Sequence, residues 1–262
     1  MNKWSHFEAK YGQAVGRGAQ CRVYRKKGLA IKVLTQNHTL LDALRESFAL
    51  AVVENVDLPI ANLEGVYKEA GHCVIATRYV EGDELMETMI ECIRTKNSSA
   101  LEHHLDMMVA MQIKMHSAGV EGLGDAKTFY RTYFQHYFGM GEPYKTNVLQ
   151  LIDRLPEGDR LCHNDYHPRN ILFDGTNYTV IDWDSATIGD PAGDVAHSYA
   201  VTLMSDKQLA DEYLKRYLRE SGMDPARVKQ WLPLQAIELY DVLKNDDNPY
   251  KRALVPLFEE LA

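Results

Sequence analysis

The chain has 262 residues, 45% hydrophobic and 25% charged, with 29 Lys and Arg against 37 Asp and Glu for a net charge of −8. These values exclude fibrous, collagen-like and wholly disordered classes, and the length allows one large domain or two small lobes. The acidic balance argues against a nucleic-acid binder, which needs clustered Lys and Arg, and is compatible with cationic small molecules. Cys21, Cys73, Cys92 and Cys162 form no C-x-x-C pair and no metal-spaced cluster, so a reducing cytoplasm is expected. The opening Met1 to Glu8 carries no apolar leader, and the longest plainly apolar run, Phe48 to Val53, is too short to span a bilayer.

In chain order, Tyr11 to Val15, Arg22 to Lys26 and Leu29 to Leu34 read as short strands, separated by Gly16-Arg-Gly18 and by the Lys26-Lys27-Gly28 turn. They predict an antiparallel three-strand meander. A helix follows from Thr39 to Val53, with Thr39 as cap and Leu41, Leu44, Phe48 and Val52 as its apolar stripe. Leu63 to Lys68 and Cys73 to Tyr79 are two further strands, joined by the Ala70-Gly71 turn. From Gly82 onward the pattern is helical, interrupted only around residues 160 to 182. Ser99-Ala-Leu-Glu102 reads as a capping box for a helix whose stripe is Leu101, Leu105, Met108 and Met115, ending near Ser117-Ala-Gly119. Residues 206 to 261 read as helices broken near Gly222, Pro233 and Pro249. No internal repeat is present, and the boundary at residues 81 and 82 reads as a hinge between two lobes, 1–81 and 82–262.

The strongest local signal is Leu161-Cys-His163-Asn-Asp165-Tyr-His167-Pro-Arg-Asn170, followed by Ile171 to Phe173, the Asp174-Gly175 turn, and Tyr178-Thr-Val-Ile-Asp182-Trp-Asp184. A hairpin over 171–181 sets Asn170 and Asp182 at its outer ends, close in space. With Asp165 five residues before Asn170, they make a compact set of hard oxygen donors suited to Mg²⁺ and to orienting a hydroxyl.

The pattern H-x-D-x-x-x-x-N, then I-D-W, then Gly189-Asp190-Pro191-Ala-Gly-Asp194 resembles the signature of aminoglycoside phosphotransferases and the related choline and ethanolamine kinases. H-x-D-x-x-x-x-N alone would recur by chance; the ordered blocks over 161–196 make the match specific. The resemblance implies an α+β, protein-kinase-like fold. Its first lobe has a small antiparallel sheet and one helix for the nucleotide. Its second lobe is mainly helical and carries the catalytic loop, metal site and acceptor pocket.

On that resemblance, Gly16 and Gly18 supply the phosphate-loop turn, Val23 covers the adenine, Lys32 reaches the α- and β-phosphates, and Glu46 steadies Lys32. Cys21 stands where protein kinases have a third glycine. The family's hinge maps to residues 75–82, with Arg78 and Val80 offering backbone groups to the purine and Thr77 guarding the deeper pocket. Asp165 accepts or orients the acceptor hydroxyl proton, and Asn170 and Asp182 ligate Mg²⁺. His163 braces the loop, His167 has a phosphate or packing role, and Asp184 is an extra ligand or a solvated acid. Asp190 and Asp194 cap the next helix and tie down the catalytic loop. Read without the resemblance, Gly-x-Gly is a hairpin turn, Lys32 a solvated strand lysine and Glu46 a surface acid.

The implied activity is transfer of the γ-phosphate of ATP or GTP to a hydroxyl of an aminoglycoside-like, cationic acceptor, with antibiotic resistance as a biological role. A kinase for choline, ethanolamine or another small alcohol is the alternative, and a nucleotide-binding pseudokinase module is the alternative of another class. The complete set of Lys32, Asp165, Asn170 and Asp182 argues against the last. No Asp-Phe-Gly or Ala-Pro-Glu brackets an activation segment, which argues against protein kinase activity. Phe129, Tyr130, Tyr133, Phe134, Tyr137 and Phe138 recur at helical spacing and read as core packing, with a cation–π cage as the competing reading. Tyr240, Asp241, Asp246 and Asp247 are candidate partners for ammonium groups.

Overall fold

The computed structural model describes residues 4–18, 20–243 and 249–261. Helix α1 (Ser5–Tyr11) precedes strands β1 (Ala14–Arg17), β2 (Cys21–Lys26) and β3 (Leu29–Leu34), helix α2 (Leu40–Val53), and strands β4 (Leu63–Glu69), β5 (His72–Arg78) and β6 (Asp83–Glu84). Helices α3 (Leu85–Arg94), α4 (Ser98–Ser117), α5 (Ala126–His136) and α6 (Tyr144–Arg154) follow. Next come β7 (Arg160–Cys162), a 3₁₀ turn (Pro168–Asn170), β8 (Ile171–Phe173), β9 (Tyr178–Val180) and β10 (Thr187–Gly189). Helices α7 (Pro191–Leu203), α8 (Lys207–Ser221), α9 (Pro225–Val242) and α10 (Val255–Phe258) complete the α+β arrangement. Two compact units result: Met1–Leu85 with Arg169–Asp184, and Met86–Pro168 with Ser185–Ala262.

The first unit is built on a five-stranded antiparallel sheet in the order β1-β2-β3-β5-β4. Two of its hairpins close through paired positive-φ residues, Lys27 and Gly28 (φ 50° and 78°) and Ala70 and Gly71 (φ 47° and 80°), which match the twist of the flanking strands. Tyr24, Ile31, Val33, Val74 and Ala76 form an apolar cluster with Trp4 and Phe7. Here the structure corrects the reading of Tyr11 as the start of a strand. Trp4, Phe7 and Tyr11 repeat at helical spacing, and Phe7 and Tyr11 both pack on Tyr24, with ring centroids 6.2 Å and 5.8 Å away. The gain from burying these rings makes the segment a helix, so this unit has two helices ahead of β4 rather than one.

Thr39 caps α2 in a capping box with Asp42, as its position suggested. The stripe on α2 is different from the expected one. Leu41, Leu44 and Phe48 are 57%, 48% and 51% exposed, and Ala43, Glu46, Ser47, Ala49, Leu50 and Val53 are buried instead. Small Ala43 and Ala49 permit close approach, and the face that holds them also turns Glu46 inward.

The β8–β9 hairpin belongs to this first unit because β8 pairs with β6, and the Val180 amide donates to the Pro59 carbonyl at 2.8 Å. Gly82 makes the approach possible: its φ is +131°, and a Cβ there would meet the Phe173 carbonyl at 2.7 Å.

In the second unit, α4 starts two residues earlier than the proposed capping box allows. Its N-cap is Asn97, which accepts from the Ala100 amide at 3.2 Å, leaving Ser99 inside the first turn. Leu105, Met108 and Met115 are buried as expected. Pro233 does not break α9, which runs through it from Pro225 to Val242. Trp231, Leu234, Ala236 and Ile237 around it are buried, and that packing outweighs the backbone hydrogen bond that proline forfeits. At the centre, α7 is buried over most of its length. Gly193 admits the Trp231 ring, which a Cβ would meet at 2.9 Å.

Candidate active site

The first unit gathers a charge cluster on the sheet. Cross-strand register aligns Gly16 with Val23, Val23 with Lys32, and Lys32 with Ile75, and directly paired residues share a face. Lys32 is half-buried, with Nζ donating to Glu46 Oε1 at 2.8 Å and to Asp182 Oδ1 at 2.6 Å. Burial opposes the lysine's charge, but Asp182, Glu46 and Asp184 outweigh it and hold the ammonium well above its ordinary pKa. Burial pushes the Glu46 carboxyl up, with Lys32 offsetting part of that rise. Lys32 and Glu46 therefore meet as the resemblance implied, and Asp182 joins them.

Asn170 and Asp182 lie at one end of the β8–β9 hairpin, where the Ile181 amide donates to the Asn170 carbonyl at 3.0 Å. Asp182 has φ +65°, an uncommon conformation for a non-glycine residue. Among the described residues no group of three or more His, Cys, Asp or Glu is arranged to hold a metal. The donors present, one carboxylate and one side-chain amide oxygen, nevertheless fit Mg²⁺, which takes one or two carboxylates and completes its octahedron with phosphate oxygens and water. Asn170 and Asp182 are the residues that would hold it.

Gly16 is half-buried and Gly18 exposed. A Cβ on Gly16 would press on the Val23 side chain at 3.3 Å, and one on Gly18 would meet Cys21 Sγ at 3.0 Å. Arg22 closes this turn by donating to the Gly18 and Cys21 carbonyls, both at 2.9 Å. At the other end of the sheet, the Arg78 amide donates to the Asn62 carbonyl at 2.8 Å, so a purine contact at Arg78 falls to its carbonyl oxygen. Val80 is half-buried, two residues beyond the end of β5.

The second unit holds Asp165 in a ring of histidines. His167 Nε2 lies 3.2 Å from Asp165 Oδ1, and the Asp165 amide donates to His163 Nδ1 at 3.3 Å. Burial pushes the Asp165 carboxyl up, but the hydrogen bond and charge of His167, with His197 and His163, more than offset it and bring it to about 2. The group is a carboxylate throughout the neutral range. His163 is fully buried, Asn164 has φ +57°, and the loop is pinned because the Asn164 amide donates to Asp194 Oδ1 at 2.5 Å.

Asp194 is a buried hub, also accepting from Gln112 Nε2 and paired with His116 Nε2, each at 2.9 Å. Asp190 caps α7 through the Ala192 amide and accepts from Trp231 Nε1 at 3.0 Å and from Arg227.

Two groups near Asp165 escaped the sequence reading. His197 follows Asp194 by one turn of α7. Glu238, half-buried on α9, has its carboxyl pushed up to about 8 by burial and by the charges of Asp165 and Asp241. Asp-x-x-His and Gln-x-x-Glu-x-x-Asp at helical spacing are the signals that could have found them. Of the proposed aromatic set, Tyr130 and Phe134 are core, with Tyr130 donating to Gln235 Oε1 at 3.0 Å. Phe138 packs on Phe134 at 4.9 Å, whereas Tyr137 is 72% exposed. Asp241 is buried and accepts from Tyr133 Oη at 2.6 Å and from the Gly139 amide. Tyr240 packs on Phe258, and Asp246 and Asp247 lie outside the described residues.

The model of the phosphotransferase enzyme family matches residues 13–231. Among solved structures, the chain is similar to a thermostable mutant of aminoglycoside phosphotransferase APH(4)-Ia in a ternary complex with ADP and hygromycin B. The TM-score is 0.69 at 14% identity, over 99% of this chain and 98% of that one. It is also similar to a choline/ethanolamine kinase family protein from Mesorhizobium loti (TM-score 0.61, 16% identity, 95% and 86% coverage). A third is amicoumacin kinase in complex with AMP-PNP, Ca²⁺ and Ami (TM-score 0.66, 13% identity, 100% and 93% coverage). These likenesses establish the shared fold. No curated protein matches the chain at significance.

Proposed function

The chain belongs to the phosphotransferase enzyme family, and from that premise we propose that it transfers the γ-phosphoryl group of ATP or GTP to a hydroxyl of an aminoglycoside-like small molecule. The observation that carries this reading is Lys32 held at 2.8 Å and 2.6 Å by Glu46 and Asp182, with Asn170 at the same hairpin end as Asp182. This is the equipment for aligning a triphosphate.

Phosphoryl transfer proceeds through a loose transition state, so the protein's work is to align the partners and neutralise charge. Residues 1–81 serve as the nucleotide lobe. Gly16 and Gly18 flank the phosphates, Val23 covers the purine, and Arg78 and Val80 read its edge through the backbone. Lys32 neutralises the α- and β-phosphates while Glu46 holds it in place. Mg²⁺, held by Asn170 and Asp182, supplies charge neutralisation at the phosphate oxygens when bound.

Residues 82–262 serve as the acceptor lobe. Asp165 orients the acceptor hydroxyl, and the hydroxyl oxygen bonds to the γ-phosphorus. The bond to the β,γ-bridging oxygen breaks with its electron pair leaving on the diphosphate, and the hydroxyl proton passes to Asp165. The low-lying Asp165 carboxyl suits alignment of a hydroxyl whose proton moves late.

The Asp165 carboxylate and the net charge of −8 favour a cationic acceptor. Cytoplasmic residence and a role in antibiotic resistance complete the proposal. Among the described residues no helix is long and apolar enough to cross a membrane.

The test is a mass-spectrometric screen of aminoglycosides, choline, ethanolamine and amino sugars, incubated with Mg²⁺ and ATP or GTP, with Asp165→Asn as control. A phosphoryl adduct on an aminoglycoside, formed only by the intact protein, supports the reading. An adduct confined to choline or ethanolamine moves it to the small-alcohol kinases, and no adduct on any acceptor overturns it.

A further inference from the structure

The transfer chemistry above employs Asp165, which His167 and His163 contact, yet a further imidazole of the second unit has no assigned work. His197 lies three residues after Asp194 on α7, and residues three apart share a helix face. That face of α7 is the one from which Asp194 holds the catalytic loop, through the Asn164 amide at 2.5 Å. The His197 side chain is only 4% exposed, and its Nδ1 has no hydrogen-bond partner among the described residues. A buried polar nitrogen without a partner costs stability that a phenyl ring in the same place would not. The ionisable groups that act on it are Asp165, His167, Asp194 and His163, and burial lowers its pKa so that the ring is neutral at neutral pH.

We propose that His197 is a positioning residue for phosphoryl transfer, acting through Asp165: its Nδ1 is the hydrogen-bond donor that the Asp165 carboxylate takes up as the acceptor hydroxyl docks. His167 already lies 3.2 Å from one carboxylate oxygen. A carboxylate that must aim a lone pair at an incoming hydroxyl is fixed in rotation only when its other lone pairs are occupied, and a second imidazole supplies that constraint without adding charge. His197 also explains why a residue of its type is tolerated where the rest of the helix is apolar or tightly paired.

This inference rests on Asp165 orienting the acceptor hydroxyl, so its test has one arm that needs turnover and one that does not. In the first, kinetics with hygromycin B, or another acceptor phosphorylated in the screen, are compared for the wild type, His197→Phe and His197→Asn. His197→Phe lowers kcat about 10- to 100-fold with both KM values within about twofold. His197→Asn, whose side-chain amide nitrogen stands near the place of Nδ1, recovers most of the loss. A His197→Phe protein with undiminished kcat overturns the assignment, as does a folded His197→Asn protein as slow as His197→Phe. In the second arm, the His197 ring nitrogens are followed by NMR in the wild type and in Asp165→Asn, across pH. Loss of the neighbouring anion lowers the His197 titration midpoint; an unchanged midpoint overturns the partnership. If no acceptor is phosphorylated while the midpoint still moves, the functional reading has failed and the pairing of His197 with Asp165 stands.

Discussion

The two units handle charge in opposite ways. In the first, Lys32 is bound directly by two acids on separate elements, Glu46 from α2 and Asp182 after β9. In the second, Asp165 faces imidazoles: His167 lies at 3.2 Å, and His197 and His163 add their charge influence. A fixed cation among acids suits a site that receives a polyanion: on the proposed reading, Lys32 would meet the phosphate oxygens and Asp182, with Asn170, would hold the metal. Asp165, its carboxyl held down to about 2, keeps its full negative charge available for a hydroxyl. On the proposed function, one cluster would serve binding and the other chemistry.

The widest separation between the two is expected from Asp165→Asn, which lowers kcat by about a thousandfold or more, because the hydroxyl loses its carboxylate partner. Steady-state assays of the purified variant check this, and an active variant would remove Asp165 from the mechanism. Lys32→Ala comes next, with kcat/KM for the nucleotide falling by about a hundredfold as the phosphates lose their cation. Unchanged nucleotide kinetics would show the first unit mapped wrongly.

A third prediction concerns the scaffold under the catalytic loop. Asp194→Ala strands His116, Gln112 and the Asn164 amide, all buried, and costs about 3–5 kcal/mol of stability, read from urea unfolding. A loss below about 1 kcal/mol would show that the loop is held by other contacts.

The smallest effect is expected at Glu238. Its carboxyl, about 8 in the folded protein against an ordinary 4.5, stays protonated after the unfolded chain has ionised. The stability it allows is complete below pH 4.5 and is lost as pH rises toward 8. Glu238→Gln should therefore raise the thermal midpoint more at pH 9 than at pH 5. Equal shifts at both values would place the carboxyl outside the Asp165 and Asp241 field.

How much of this was legible in the sequence depends on the range of the interaction. Thr39 as the cap of α2, the Lys27-Gly28 and Ala70-Gly71 turns and the Asn170–Asp182 hairpin rest on local chemistry, and all were readable. The face of α2 was not. Its leucines and phenylalanine form a cleaner stripe than Ala43, Glu46, Ser47 and Leu50, but the ion pair to Lys32 and the fit of small side chains decided the orientation. Pro233 marks a break by local rule and is overruled by the packing of Trp231 and Leu234. His197 and Glu238 are marked in the sequence only by their helical spacing from Asp194 and from Gln235 and Asp241, which does not by itself place them near Asp165. Residue order along the motifs, Lys32, Glu46, Asp165, Asn170 and Asp182, carried most of the candidate site.

The central claim is that binding and chemistry reside in different clusters, and calorimetric titration of Mg-ATP into the wild type, Lys32→Ala and Asp165→Asn tests it most directly. The prediction is that Asp165→Asn binds nucleotide within about threefold of the wild type, while Lys32→Ala binds at least about tenfold more weakly. Equal weakening in both variants, or loss of affinity in Asp165→Asn alone, would contradict it.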